Sequence, residues 1–166
     1  MTIRQYKPTS SGRRAGSVSR FEELTFTKSI PEKSLVVRHK KKGGRNHQGK
    51  ITARHRGGGQ RQMYRLVDFS TSVVDTVGVI KSVEYDPGRS ARVALVYYSN
   101  GQKRYLLAYE GARPGVKVQS ANDSIEPVVG HRMPLSKIPL GMTVHAIEMQ
   151  PGGGAKLCRA AGAGAT

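Results

Sequence analysis

The stretch KKKGGRNHQGKITARHRGGGQR, residues 40–61, limits what this chain can fold into more than any other. From residue 38 to residue 59 the only sizeable apolar side chain is Ile51. The segment therefore cannot bury enough apolar area to offset the entropy of ordering, and irregular chain with no order of its own is expected. Charge is concentrated in the same region. Residues 1–65 carry 17 Lys/Arg against 3 Asp/Glu, whereas residues 66–166 carry 11 against 8, within a net charge of +17. A cationic arm on a nearly balanced body repels itself unless a polyanion neutralises it.

Membrane, nucleotide and nucleic acid can each supply phosphates. A membrane surface calls for an amphipathic helix with large apolar residues opposite the charges, and a span calls for a long apolar run; the sequence offers neither, so no membrane partner is expected. The nucleotide pattern G-x-x-x-x-G-K-[ST] is nearly met by Gly44, Gly49 and Lys50, but Ile51 stands where a hydroxyl should meet magnesium. The glycines at 57–59 would also break the helix that should follow. A nucleic-acid backbone uses the same residues better. Lys40, Lys41, Lys42, Arg45, Lys50, Arg54, Arg56, Arg61 and Arg65 lie in one tract. Fully extended it would reach roughly 80 Å. Gly43, Gly44, Gly49, Gly57, Gly58 and Gly59 let the main chain approach phosphates, while Asn46, Gln48, His47 and His55 can bond to 2′-hydroxyls and base edges. Tyr64, where the arm meets the body, can stack on a base.

Other chemistry is poorly represented. His39, His47 and His55 recur at a spacing that matches no common zinc pattern, and Cys158 is the single cysteine, with no identifiable acid–base partner. No metal, no cofactor and no catalytic residue are expected, and the chain reads as a non-enzyme. A reducing compartment agrees with the lone thiol.

Beyond the arm the texture changes to short strands and turns. Segments 64–69, 76–85, 91–99, 102–109 and 116–118 alternate or carry β-branched residues. In 76–85, Val77, Val79, Val83 and Tyr85 fall on one face and Lys81 interrupts it; in 91–99, Val93, Leu95 and Tyr97 do the same. Pro87-Gly88 suggests a type II turn, and Asn100-Gly101 a two-residue hairpin. Five short strands predict a small antiparallel barrel, of the oligonucleotide-binding (OB) or SH3-like kind. Tyr85, Tyr97, Tyr98, Tyr105 and Tyr109 are expected to pack across strands, with Arg89, Arg92, Lys103 and Arg104 on the outward side. After residue 126 one further strand, 142–150, is expected, followed by a loop or frayed end. Phe21, Leu24, Phe26 and Ile30 are the apolar hints in the first thirty residues.

KKKGGRNHQGKITARHRGGGQRQMYRLVDF, together with YKPTSSGRR, PEKSL, VEYDPGRSARVALVYYSNGQKRYLLA, GHRMPLSKIPLGMTVHAIEM and GGGAKLCRAAGA, resembles the universal L2 family of large-subunit ribosomal proteins, of bacterial or organellar type. These stretches cover nearly the whole chain in order. The resemblance implies a mainly β protein with a basic extension over 1–62, an OB barrel over 63–125 and the start of an incomplete SH3-like domain over 126–166. It implies a structural role on large-subunit ribosomal RNA, beside neighbouring ribosomal proteins, supporting subunit assembly, subunit association and the region around the peptidyl-transferase centre. The place would be the ribosome of a bacterial cytoplasm, a plastid stroma or a mitochondrial matrix. RNA contacts are expected at Tyr6, Lys7, Arg13 and Arg14, along the arm from Lys40 to Arg65, and at Arg89, Lys103 and Arg104. The family continues past the position of Thr166, which implies a separate polypeptide carrying the C-terminal half or a sequence that stops short of it. A free RNA chaperone-like module is the alternative binding protein, and a P-loop enzyme the alternative from another class.

Overall fold

The computed structural model describes residues 3–25, 30–39, 41–58, 62–70 and 72–166. Phe26, Lys40, Gly59, Gln60 and Arg61 lie outside the described residues. In chain order the strands are β1 (Ile3–Gln5), β2 (Ser17–Ser19), β3 (Val36–Arg38), β4 (Met63–Arg65), β5 (Gly78–Glu84), β6 (Val93–Tyr98), β7 (Lys103–Leu107), β8 (Lys117–Val118), β9 (Ile147–Glu148) and β10 (Ala155–Leu157). One helical turn, α1 (Ser11–Arg14), joins β1 to β2. The chain is mainly β, and its central antiparallel sheet has the order β7-β6-β5-β8. This curled sheet is compatible with an OB or SH3-type barrel.

The segment 64–69, expected as one strand, is divided. β4 pairs with β3, and beyond it Val67 makes a parallel bridge to Tyr105 on the outer edge of β7. Asp68 N–H donates to the Tyr105 carbonyl at 2.8 Å, so that edge is covered rather than open.

β6 lies at the centre and is buried on both faces. Ala94, Val96 and Tyr98 join Ile80, Val83 and Val118 in one cluster; Val93 and Leu95 join Tyr105 and Leu35 in a second. The expected inward face of β5 is corrected. Ile80 and Val83 are the buried pair, while Val77, Val79 and Tyr85 remain exposed. The cause is a bulge: register shifts between Ile80 and Ser82, leaving Lys81 without a partner on β6. An extra residue reverses which side chains face inward beyond it. Lys81 breaks the alternation in the sequence because it is the inserted residue.

Both expected turns form with different geometry. Gly101 takes φ +81°, but the turn has three residues: Gly101 N–H donates to the Tyr98 carbonyl, and Tyr98 N–H to the Gln102 carbonyl. This is the type I turn plus left-handed glycine arrangement of a three-residue hairpin loop. At Pro87-Gly88 the glycine is not in the left-handed region. The Asp86 carboxylate accepts Gly88 N–H at 2.9 Å instead, fixing the turn from its side chain.

Residues after 126 lean on the sheet. Ser120 bridges to Arg132, and Ala155 N–H donates to the Phe69 carbonyl at 2.8 Å. The expected strand over 142–150 is reduced to β9, whose partner β10 follows the PGGG turn. The expected frayed end is tied: Val144 and Ala165 exchange both backbone hydrogen bonds.

Candidate nucleic-acid interface

Two antiparallel strands close the cationic arm into a loop. β3 and β4 match Val36 with Arg65, Val37 with Tyr64 and Arg38 with Met63, so the chain leaves the body after Arg38 and rejoins it at Met63 in one place. The arm is therefore not a single extended thread. Arg45 bridges Ile51, and the Asn46 carboxamide oxygen accepts the N–H of Gln48 and of Lys50, each at 3.0 Å. Further back, Thr52 and Ala53 N–H donate to the Gly44 carbonyl. The limbs touch at two glycines: a Cβ on Gly57 would lie 2.6 Å from Gly43 Cα. Only glycine allows that approach, and φ of +105° at Gly57 and +61° at Gly43 demands it again.

This geometry does not form a nucleotide cradle. The amide of Lys50 is bonded to Asn46, and the described residues from 51 to 58 form a bridge, bends and turns rather than a helix. What the loop does present is charge. Lys41, Lys42, Arg45, Lys50, Arg54, His55 and Arg56 are in the loop, most of them exposed. Among the described residues no carboxylate pairs with Lys42, Arg45, Lys50, Arg54 or Arg56. Gly58 is exposed with φ of +74°. Lys40, Gly59 and Arg61 fall outside the described residues.

The first expected contact group is also brought together. β1 and β2 form a hairpin whose loop contains α1, and Tyr6 N–H donates to the Gly16 carbonyl. Arg13 stacks over the Tyr6 ring at 5.1 Å, with Lys7 and Arg14 exposed nearby in the chain.

Several cations of the barrel behave differently. Arg65 is buried, with Nε 3.4 Å from Glu84 and Nη1 3.8 Å from Asp86. Its charge is used inside the fold rather than presented outward. Asp86 also holds Arg89 at 2.7 Å. Lys103 Nζ lies 3.0 Å from the Glu32 carboxylate, whose hydrogen bond raises the Lys103 pKa. Arg104 approaches Asp68 at 4.0 Å. Burial alone would raise the Asp68 pKa, but hydrogen bonds from Ser72 and Ser70 outweigh it and the net shift is downward. The tyrosines divide as well: Tyr98 and Tyr105 are core, whereas Tyr85 and Tyr97 stay partly exposed against Arg92 and Lys103.

Two groups escape the sequence reading. Arg92 lies between Phe21 and Tyr85, at 4.9 and 5.2 Å, and pairs with Glu23, pinning the segment after β2 to the barrel. Phe69 is flanked by Arg89 and Arg159. Neither group has a local signal, because each joins segments far apart in the sequence.

A small curled β barrel carrying an arginine- and lysine-rich loop on a two-stranded base, with a second β segment leaning on its side, defines a barrel protein with basic extensions. Comparison with known proteins makes the kinship specific. The family model described as "Ribosomal Proteins L2, RNA binding N-terminal domain" matches residues 32–120, and "Ribosomal Proteins L2, C-terminal domain" matches residues 128–166. The large ribosomal subunit protein uL2 of Rhodopirellula baltica is 52% identical over 168 aligned residues, covering 100% of this chain. This chain belongs to the ribosomal protein L2 family. It spans 57% of the length of that relative.

Proposed function

We propose that this chain is a structural, non-enzymatic constituent of a bacterial-type large ribosomal subunit that binds large-subunit ribosomal RNA. The observation that carries this reading is the division of its cations. Five on the barrel, Arg65, Arg89, Arg92, Lys103 and Arg104, are held by the chain's own carboxylates, while five on the 39–62 loop have none among the described residues, within a segment whose family model is described as RNA-binding. Unneutralised, they repel; on a phosphate backbone they release counterions, and affinity follows. In this reading 1–62 is the RNA-contacting extension, 63–125 the barrel that anchors it and 126–166 the beginning of a second β domain. The contacts are Tyr6, Lys7, Arg13 and Arg14 on the first hairpin and the cations of the loop, with Lys103 and Arg104 at the barrel surface. Arg65 holds the base of the loop. Neighbouring ribosomal proteins complete the surroundings, with subunit assembly, subunit association and the peptidyl-transferase region as the setting.

The test is salt-dependent binding to large-subunit ribosomal RNA. Replacing Lys42, Arg45, Lys50, Arg54 and Arg56 by Gln should flatten the dependence of log affinity on log salt, by roughly 0.7–0.9 for each phosphate no longer neutralised. Sedimentation of a cell extract separates a subunit constituent from a free RNA chaperone, since the former runs with large subunits at moderate salt. An unchanged slope in the five-fold variant refutes the proposal.

A further inference from the structure

We infer that Asn100, in the turn between β6 and β7, is a site of spontaneous covalent modification: its carboxamide condenses with the Gly101 nitrogen, releases ammonia and opens with water to aspartate and isoaspartate. The inference goes beyond the RNA-binding reading and does not depend on it. The chain has three asparagines, Asn46, Asn100 and Asn122, and only Asn100 is followed by glycine. The next residues after the other two, His47 and Asp123, each carry a Cβ beside the backbone nitrogen that has to attack. Gly101 carries none, and its backbone has the widest conformational freedom.

The turn presents both reactants. Asn100 and Gly101 are exposed, and a Cβ placed on Gly101 would meet no atom within 4 Å, so the ring that forms has open space around it. Asn100 Oδ1 accepts the Gln102 N–H at 3.0 Å. That bond folds the carboxamide back over the peptide that follows it, turning the carboxamide carbon toward the Gly101 nitrogen. It also sets a donor on the oxygen where negative charge develops as the nitrogen attacks. One contact opposes the reaction. Gly101 N–H donates to the Tyr98 carbonyl at 3.0 Å, and the nitrogen must give up that proton before it becomes a nucleophile.

Water is the only co-reactant. The Gly101 nitrogen loses its proton to solvent and bonds to Asn100 Cγ; the Cγ–Nδ2 bond breaks and ammonia leaves, giving a five-membered imide. Water then opens the ring at either carbonyl. One opening leaves the main chain unchanged and gives a carboxylate that can still accept the Gln102 N–H. The other routes the main chain through the former side chain and adds a methylene between β6 and β7. Loop length sets the register of a hairpin. The longer link therefore breaks the match of Tyr97 with Lys103 and the bond from Tyr98 N–H to the Gln102 carbonyl. Lys103, at the start of β7, holds Glu32 at 3.0 Å, so the isoaspartate form loosens the end of the hairpin to which the approach to the cationic loop is tied.

The experiment incubates the full chain in mildly alkaline heavy-oxygen water beside a synthetic peptide of residues 93–103, followed by trypsin in ordinary water. Cleavage after Arg92 and Lys103 isolates a peptide in which Asn100 is the only asparagine. Mass spectrometry reads the heavy-isotope gain, fragmentation assigns it to residue 100, and carboxyl methylation by an isoaspartyl methyltransferase counts the isoaspartate. The folded chain should convert no slower than about 12-fold below the peptide, the most that one net hydrogen bond on the attacking nitrogen imposes. Asn46 and Asn122 should convert more slowly than Asn100, and Asn100→Gln should abolish the gain. Hydrogen exchange at Tyr98 should accelerate in the isoaspartate fraction and stay at the wild-type rate in Asn100→Asp. Should Asn100→Gln disturb the hairpin, the wild-type chain against the peptide decides. Conversion of the folded chain below the expected range, with the same chain in urea converting like the peptide, overturns the site. Equal exchange at Tyr98 in the isoaspartate fraction and in Asn100→Asp overturns the loosening of the hairpin.

Discussion

Tyr105→Phe removes one oxygen atom and should change stability in a way that depends on pH. The Tyr105 ring is fully buried. Its hydroxyl donates to Glu84 Oε2 at 3.0 Å and accepts the Glu32 N–H at 2.9 Å, joining the loop's approach segment to β5 through β7. Losing a hydrogen bond to a buried charge costs about 1.5–3 kcal/mol and a neutral one about 0.5–1.5 kcal/mol. At neutral pH the substitution should therefore destabilise by about 2–4 kcal/mol. Burial, with smaller contributions from the Glu84 charge and the hydrogen bond it accepts, pushes the Tyr105 pKa from 10.0 up to about 12; the Glu32 N–H and Arg65 act in the opposite sense. The folded chain then keeps a proton that the unfolded chain has released. Below pH 10 this stabilisation is intact. Between about pH 10 and 12 the unfolded state binds fewer protons, so wild-type stability falls, by about 2.7 kcal/mol across the interval and about 1.4 kcal/mol by pH 11. The Tyr105→Phe chain lacks this loss. Urea unfolding followed by circular dichroism from about pH 8 to about pH 11 should show the two stabilities converging. The chain has no Trp and seven Tyr, so the difference in tyrosinate absorbance between wild type and Tyr105→Phe provides an independent titration. A gap that stays constant to about pH 11, or widens, refutes the buried Glu32–Tyr105–Glu84 link.

Three further substitutions probe the sheet, the loop and the C-terminal segment. Gly78→Ala places a Cβ 2.5 Å from Val96 Cγ1 and 2.9 Å from Tyr98 Cε1, and should cost about 1–3 kcal/mol in urea unfolding through overpacking. Gly57→Ala meets both a positive φ and the Gly43 backbone, so it should leave the thermal midpoint of the barrel unchanged while separating the two limbs of the loop and weakening RNA binding at fixed salt. Arg132→Met removes the 2.8 Å pair with Glu148 and the bond to the Phe69 carbonyl; hydrogen exchange should accelerate at Ala155 but not at Val96, corresponding to about 1–2 kcal/mol of local stability.

How much of this is legible in the sequence depends on distance along the chain. β6 and β7 are visible because Val93–Tyr98 and Lys103–Leu107 are short β-branched and aromatic runs around a glycine turn. The inward face of β5 is misread because period-two reasoning assumes no insertion, and one bulge residue, Lys81, reverses the pattern beyond it. The turn at Asn100-Gly101 can be found but not its length, since composition marks the left-handed glycine and not the residue count before it. The extension also lends the barrel Leu35, which closes the second core cluster over Val93 and Leu95. A lone leucine beside a charged tract carries no period that would announce this.

The same limit governs the interface. Counting cations locates the loop but treats Arg65 and Arg54 as equivalents, although they lie only eleven positions apart. Their difference is made by Glu84 and Asp86, placed by β5 and the turn after it on the buried side of β4. A buried guanidinium without those carboxylates would cost several kcal/mol, so the pairing is a condition of folding, and it removes Arg65 from the pool of charge available to a partner. The few acidic residues of the chain thus neutralise some cations within the fold and leave others unpaired. Changing Glu84 would strand Arg65 inside the barrel before it altered the loop's own charge, whereas changing Arg54 should alter binding with the barrel left intact.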